Sequence, residues 1–339
     1  MRKCIAGFAM LLALAGGSAS AQNVDQVRAN LAKLKPADFP TQPIEFVVMF
    51  PAGGGMDNTA RLVGKYFEKY SGQRVINVNR VGGAGVVGHT YLATQAKPDG
   101  YTVGIVEANT VLDGVRLQEG KSTWQHGDLE PVAFVNTDST TWIVSTEGNL
   151  KNKTMSEVIA EMKAKPGTIR VASVTNTMLE YLAEQVETEG GVRTIKVPFQ
   201  GGSPALAALL GGHIDVSGNF LAEYRGHLEA GKLKILAVAG DERMPALANV
   251  PTFNEALGTN KINWSPFRYA AVPKNVPAAR KRYLEAAFDA ALRDPELLAE
   301  FAKNGLDGRR KYATSALVAA EVERVAKGRV EFFSKRVAK

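Results

Sequence analysis

The chain is nearly devoid of cysteine: Cys4 is the only one in 339 residues. A single cysteine cannot form an internal disulfide, and nothing beyond Cys4 can act as a thiolate metal ligand or nucleophile. Histidine is scarce too. His89, His126, His213 and His227 have no acidic or cysteine partner at metal-ligand spacing, so no metal site is expected. No Gly-x-Ser-x-Gly elbow occurs, and no Gly-Lys-Ser/Thr follows a glycine loop. The sequence therefore points to no catalytic residue and no cofactor. Lys and Arg number 41 against 34 Asp and Glu, a formal charge of +7. The basic residues are scattered, without the run that marks a nucleic-acid surface.

Long apolar runs are missing as well, apart from the beginning of the chain. There Arg2 and Lys3 precede an apolar stretch over 5–14 and the small residues Ala19-Ser20-Ala21. This is the order of a secretory signal peptide, with cleavage expected after Ala21 and an exported, periplasmic product. The stretch is short of the roughly 20 residues a membrane span needs. Cys4 lies ahead of it, where a lipoprotein acceptor does not sit.

The rest of the chain is long enough for two cores. A narrow apolar stripe (Val24, Val27, Leu31, Leu34) predicts a helix over 24–35, ended by Pro36 and Pro40. Strand and helix patterns then alternate, as in parallel βαβ units. Strands are predicted over 44–49, 75–78 and 101–106, with helices over 58–70 and 86–96. After a looser stretch over 108–130, strands are predicted at 141–145, 169–172, 194–197, 214–217 and 233–239. The intervening helices include one begun by the Thr154–Glu157 capping box. Another has Ser203 as cap and Pro204 at its first position. A returning strand over 268–272 and three helices (278–293, 295–304, 314–335) complete the pattern. The expected fold is α/β with two lobes, each a mostly parallel sheet flanked by helices. The expected division is 1–21 signal segment, 22–40 helical extension, 41–138 with 268–339 as the first lobe, and 139–267 as the second.

Ligands of open α/β sheets bind beyond the carboxyl ends of the strands, where helix N-termini point. Three loops fit. Phe50-Pro51-Ala52-Gly53-Gly54-Gly55-Met56-Asp57 lets backbone approach a ligand and leads straight into a helix, whose N–H groups suit a carboxylate. Asp57 either caps that helix or accepts a bond from a ligand amine or hydroxyl. Gly82-Gly83-Ala84-Gly85-Val86-Val87-Gly88 matches Gly-x-Gly-x-x-Gly at Gly83, Gly85 and Gly88, with Glu107 further on. It supports a rival reading, an exported enzyme using a nucleotide, beside plain close packing of loop and helix. Ser173-Val174-Thr175-Asn176-Thr177 offers hydroxyls and an amide, for capping or for ligand contact.

At this point the residues resemble the substrate-binding proteins of tripartite tricarboxylate transporters. The likeness runs from about Pro40 to Ser315. It is carried by Pro43-Ile44 with Phe50-Pro51-Ala52-Gly53-Gly54, Asp57 and Ala60-Arg61, then Asn79-Arg80, Gly82-Gly83-Ala84-Gly85 and Pro98-Asp99-Gly100-Tyr101-Thr102. Further along stand Val197-Pro198-Phe199-Gln200-Gly201-Gly202, Leu209-Leu210-Gly211-Gly212-His213-Ile214-Asp215, Ala230-Gly231-Lys232-Leu233, Arg243, Val250-Pro251-Thr252 and Trp264.

The resemblance implies a two-lobe periplasmic-binding-protein fold of type II kind that closes on its ligand like a hinged clamp. It implies a monomer that captures a small di- or tricarboxylate, sometimes an amino acid or aromatic acid, and delivers it to the membrane subunits of the transporter. A sensor feeding a membrane signalling protein shares that fold. Residues 50 and 52–57 and the loop Ser173, Thr175, Asn176 and Thr177 would grip one carboxylate. Phe199, Gln200, Gly201 and Gly218-Asn219 would line the distal end. Two departures stand out. The second loop lacks the usual Gly/Ser-rich turn with a histidine, and Val272-Pro273-Lys274-Asn275-Val276-Pro277 replaces Ala-Pro-x-Gly-Thr-Pro. Arg268, on a predicted strand, is read either as a bidentate partner for a distal carboxylate or as an internally paired cation.

Overall fold

The computed structural model describes residues 23–118, 120–240, 242–262, 267–306 and 314–337, with side chains as far as 327. The expected signal segment and Trp264 lie outside the described residues. Among those described, no helix is long and apolar enough to cross a membrane.

Helix α1 (Val24–Leu34), capped by Asn23, leads into the first lobe. There β1 (Ile44–Val48), α2 (Gly55–Ser71), β2 (Val75–Asn79), α3 (Val86–Thr94), β3 (Thr102–Glu107), α4 (Ala108–Arg116) and β4 (Leu129–Thr137) follow in turn. Helix α2 begins three residues before the predicted start, inside the glycine loop. Its first N–H is satisfied from across the molecule, so no local cap is needed to fix the end. Helix α4 occupies part of the stretch expected to be loose. Both carboxylate oxygens of Glu107 cap it, accepting from Asn109 N and Thr110 N at 3.0 Å each. Gly114, inside the helix, hides its periodicity; a Cβ there would press on His89 and Trp124. Strand β4 was not anticipated either.

The chain crosses to the second lobe between Thr137 and Thr140. That lobe comprises β5 (Thr140–Ser145), α5 (Met155–Ala164), β6 (Arg170–Ser173), α6 (Met178–Gly190), β7 (Ile195–Pro198), α7 (Gly202–Leu210), β8 (Ser217–Phe220), α8 (Leu221–Glu229), β9 (Leu233–Val238) and the short α9 (Phe253–Leu257). The Thr154–Glu157 capping box is present at α5. At α7 the expectation is corrected: Gly201 is the N-cap, while Ser203 and Pro204 lie inside the first turn. Strand β8 starts where the predicted strand ends. Its predicted positions are partly taken by the buried Ile214 and by Val216, which forms a parallel bridge to Val171.

Strand β10 (Phe267–Pro273) returns to the first lobe, followed by α10 (Ala278–Leu292), α11 (Pro295–Lys303) and α12 (Ser315–Val337). The first sheet has the order β2-β1-β3-β10-β4, with only β10 antiparallel to its neighbours. The second lobe repeats the plan. Parallel β6-β7 is joined by the Val171–Val216 bridge to β8-β5-β9, in which β5 is the antiparallel strand.

All seven residues of β10 are buried. One face of its sheet packs on α2 and α10 through Phe46, Phe67 and Phe288, whose ring centroids lie 4.9–5.6 Å apart. The other face buries Met49, Leu92, Trp124, Tyr269 and Val318. A strand sealed on both faces has no cheap place for a charge, yet β10 carries Arg268. The fold thus draws attention to that residue before any ligand is considered.

Candidate functional site: the cleft between the lobes

The carboxyl ends of the strands in the two sheets face one another across a cavity of about 70 Å³. The first lobe contributes Phe50, Pro51, Gly54, Gly55, Met56, Glu107, Thr110 and Arg268. The second contributes Val174, Thr177, Met178, Leu179, Gly201, Gly202, Phe220 and Glu223. Most of this wall is apolar, and its polar groups, Arg268 on β10 apart, sit at the starts of helices. Toward the surface, sharing Val174, lies an outer chamber of about 400 Å³. Gly83, Ala84, Val86, Leu117 and Gln118 face Thr175, Asn176, Pro198, Phe199 and Gln200 there. Ala84 (φ 55°) and Asn176 (φ 61°) are both held in the left-handed region at this mouth, a strained state that packing must maintain.

Of the residues singled out in the sequence, Phe50, Gly54, Gly55, Met56, Thr177, Gly201 and Arg268 line the inner cavity. Thr175, Asn176 and Gln200 line the outer chamber. Ala52, Gly53, Asp57, Ser173, Gly218 and Asn219 line neither. Asp57 is buried and accepts from Gly53 N (3.0 Å), Arg61 Nε (2.7 Å) and Asn79 Nδ2 (3.0 Å). These donors hold its carboxyl below the ordinary range despite the opposing effect of burial. Ser173 donates to Glu180, which also accepts from Asn176 N at 2.7 Å. Thr177 caps α6 and still lines the cavity. In the second glycine loop, Gly88 allows close packing, since a Cβ would stand 2.8 Å from Met49 Cγ. Glu107, which a dinucleotide reading would set on a ribose, caps α4 instead.

Sequence reasoning missed Glu107 as a wall residue, Thr110, Met178, Leu179, Phe220 and Glu223. Glu223 carried one legible signal. It stands three residues after Phe220, the helix-capping offset, and its Oε2 accepts from Phe220 N at 3.3 Å. Its Oε1 accepts from Gly55 N in the other lobe at 2.6 Å. The start of α2, expected to present free N–H groups, is therefore occupied by a carboxylate of the chain itself. Helices α4 and α6 are likewise capped by side chains. Helix α7 is not: Gly201 supplies no capping side chain, and the Gly201–Gly202 backbone forms cavity wall.

Arg268 is 2% exposed. Its Nη2 pairs with Asp138 at 2.5 Å, its Nη1 donates to Thr59 Oγ1 at 2.7 Å, and its Nε contacts Met56 Sδ at 3.0 Å. The guanidinium stands 5.0 Å from the Phe220 ring centroid. Arg268 is thus internally paired, and it also lines the cavity. Asp138 follows β4 directly, at the crossing between lobes. Burial pushes its carboxyl up to about 7, against the pull of Arg268. Burial also raises Glu223, opposed by its bonds from Asn219, Gly55 N and Phe220 N. Among the described residues no group of His, Cys, Asp and Glu is arranged to hold a metal ion.

Comparison with known proteins agrees with this architecture. A Cupriavidus necator protein, the UPF0065 protein of the gbd 5′ region, is 32% identical over 275 residues, covering 80% of this chain and 81% of its own. A solved periplasmic transporter structure superposes with a TM-score of 0.80 at 26% identity, covering 88% of this chain and 98% of the other. MatC from Rhodopseudomonas palustris, solved with bound malate, gives 0.76 at 25% identity, covering 85% and 98%. The tripartite tricarboxylate transporter family receptor (TctC) pattern matches residues 59–327, and the chain belongs to that family.

Proposed function

We propose that the protein is a periplasmic receptor that captures a small organic carboxylate in the cleft, without chemistry, and delivers it to the membrane subunits of a tripartite tricarboxylate-type transporter. In this reading residues 1–21 direct export and are removed after Ala21. Residues 41–138 with 268–339 form one jaw, residues 139–267 form the other, and the receptor works as a monomer. The observation that carries it is Arg268. A guanidinium buried in a central strand and exposed to ligand only through the cleft is suited to an anion. Its fork presents five N–H groups, of which Asp138, Thr59 and Met56 engage three. The uncapped start of α7 at Gly201–Gly202 supplies further N–H groups across the gap. The malate held by MatC supports the same class of ligand.

The test is to unfold and refold the protein free of bound solute, then measure its melting temperature against di-, tri- and aromatic carboxylates. A binder at one hundred times its Kd stabilises by about 2.7 kcal/mol. Silence toward every carboxylate would overturn this function.

A further inference from the structure

Glu223 lies at the meeting point of three helix starts. It belongs to α8 of the second lobe, yet its Oε1 accepts from Gly55 N of α2 in the first at 2.6 Å. Its Oε2 accepts from Asn219 Nδ2 at 2.5 Å and from Phe220 N at 3.3 Å. A Cβ on Gly202, at the start of α7, would overlap both oxygens. The place where physics would seat a ligand carboxylate is therefore filled by a side-chain carboxylate.

Each carboxylate oxygen accepts about two bonds, and an ionised carboxylate donates none. With Oε2 engaged twice and Oε1 once, a single acceptor position remains, on Oε1. All three partners donate N–H bonds, which favours the ionised form against the effect of burial, and a ligand atom that meets the ionised carboxylate must be a donor. The charges around the cavity act in the same direction. Glu107 and Glu223 line it, Asp138 lies behind Arg268, and Arg268 is the one basic residue among the described residues of the wall. Arg268 and Glu223 flank the same residue. A Cβ on Gly55 would stand 3.0 Å from Arg268 Nη2, and Gly55 N is the group bonded to Glu223. A cationic and an anionic group so close suit a ligand whose carboxylate and donor lie one or two carbons apart.

We propose that Glu223 determines specificity: it bars a ligand carboxylate from the start of α2 and selects acids bearing a neighbouring hydrogen-bond donor, an ammonium above all, as in amino acids. This rests on the carboxylate-binding reading of the cleft and names the group beside that carboxylate.

Two matched series test it by calorimetry on the refolded full-length mature protein. They are propionate, lactate and alanine, and succinate, malate and aspartate, which differ only in hydrogen, hydroxyl or ammonium at one carbon. A charge-assisted bond to Glu223 should favour ammonium over hydrogen by about ten- to a hundredfold in whichever series binds, with hydroxyl between. Glu223→Gln, which keeps the shape and an acceptor for Gly55 N, should flatten the order. Glu223→Asp, which keeps the charge, should preserve it. Melting of the unliganded variants verifies their folding. An order absent from the wild type, or one that survives Glu223→Gln, overturns the assignment while leaving carboxylate capture intact. Silence toward both series and toward the wider carboxylate panel overturns both.

Discussion

Substituting Gly55 with alanine isolates the closed cleft from the folding of either lobe. Gly55 is the first residue of α2, and its φ is not positive, so alanine fits the backbone. Within the helix alanine is favoured over glycine by about 0.5–1 kcal/mol. Across the gap the new Cβ would stand 2.8 Å from Phe220 Cδ2; within its own lobe it would stand 3.0 Å from Arg268 Nη2, the end of a flexible side chain. Carbon atoms pack best at roughly 3.5–4.0 Å, so Phe220 must withdraw or the lobes must part. Overpacking of this kind costs about 1–3 kcal/mol, and a form with the lobes parted would escape the Phe220 contact. Affinity should therefore fall by about 5- to 150-fold while the unliganded protein melts at or slightly above the wild-type temperature.

Melting with and without ligand reads both quantities. For a chain of this length the unfolding entropy is about 0.7 kcal/mol/K, so ligand at one hundred times the wild-type Kd raises its melting temperature by roughly 4 °C. The same ligand concentration should raise the variant by only about 1 °C if binding is some thirtyfold weaker. A variant with the full ligand shift would show that Phe220 and Arg268 do not keep these positions around a bound ligand, and the cleft would need redrawing.

Further substitutions test the buried titratable groups. Arg268→Met should abolish ligand binding and leave Asp138 without its cation. With the carboxyl raised even further above its unfolded value, stability is fully present below about pH 4 and is lost as pH rises through the folded value. The variant's deficit in urea midpoint should thus be larger at pH 8 than at pH 5, and adding Asp138→Asn should recover part of it. Equal deficits at both pH values would refute an ionisable Asp138 as the cause. His89 is wholly buried, and burial holds it down to about 3 against the opposing pull of the Gly85 backbone. Its contribution is present above the unfolded value of about 6.5 and is lost as pH falls below it, by roughly 1.4 kcal/mol per pH unit. His89→Leu should flatten the acid limb of the stability curve; an unchanged limb would assign the acid sensitivity to other groups.

The architecture was legible because alternation is a backbone property that leaves a period in the sequence. Where that period was broken, reading failed. Gly114 interrupts α4 because Trp124 and His89 crowd it, a tertiary reason that no local pattern records. Helix α2 was placed late because its first N–H is satisfied by Glu223, 168 residues away. The start of α7 was misassigned to Ser203 because serine is the better cap in isolation. The structure instead puts Gly201 there, where its backbone becomes cavity wall.

The same distinction explains the candidate site. A glycine loop running into a helix announces an anion seat, since the free N–H groups and the dipole follow from chain geometry. Which anion takes the seat depends on the side chains nearby: Glu107 caps α4, Glu223 takes the start of α2, and Glu180 holds the loop N–H of Asn176. Each of these carboxylates removes a position that a ligand carboxylate could have used and adds a negative charge near the cleft. What is left for an anion is the uncapped start of α7 and Arg268, whose location on β10 was legible. Its burial and its pairing with Asp138 were not, because they require the chain to return from the second lobe and insert one antiparallel strand between β3 and β4. On the proposed role of Glu223, selectivity would reside less in the glycine loop than in the acids that cap around it, and Glu223, the one that reaches across the gap, is where a change of ligand preference should be sought.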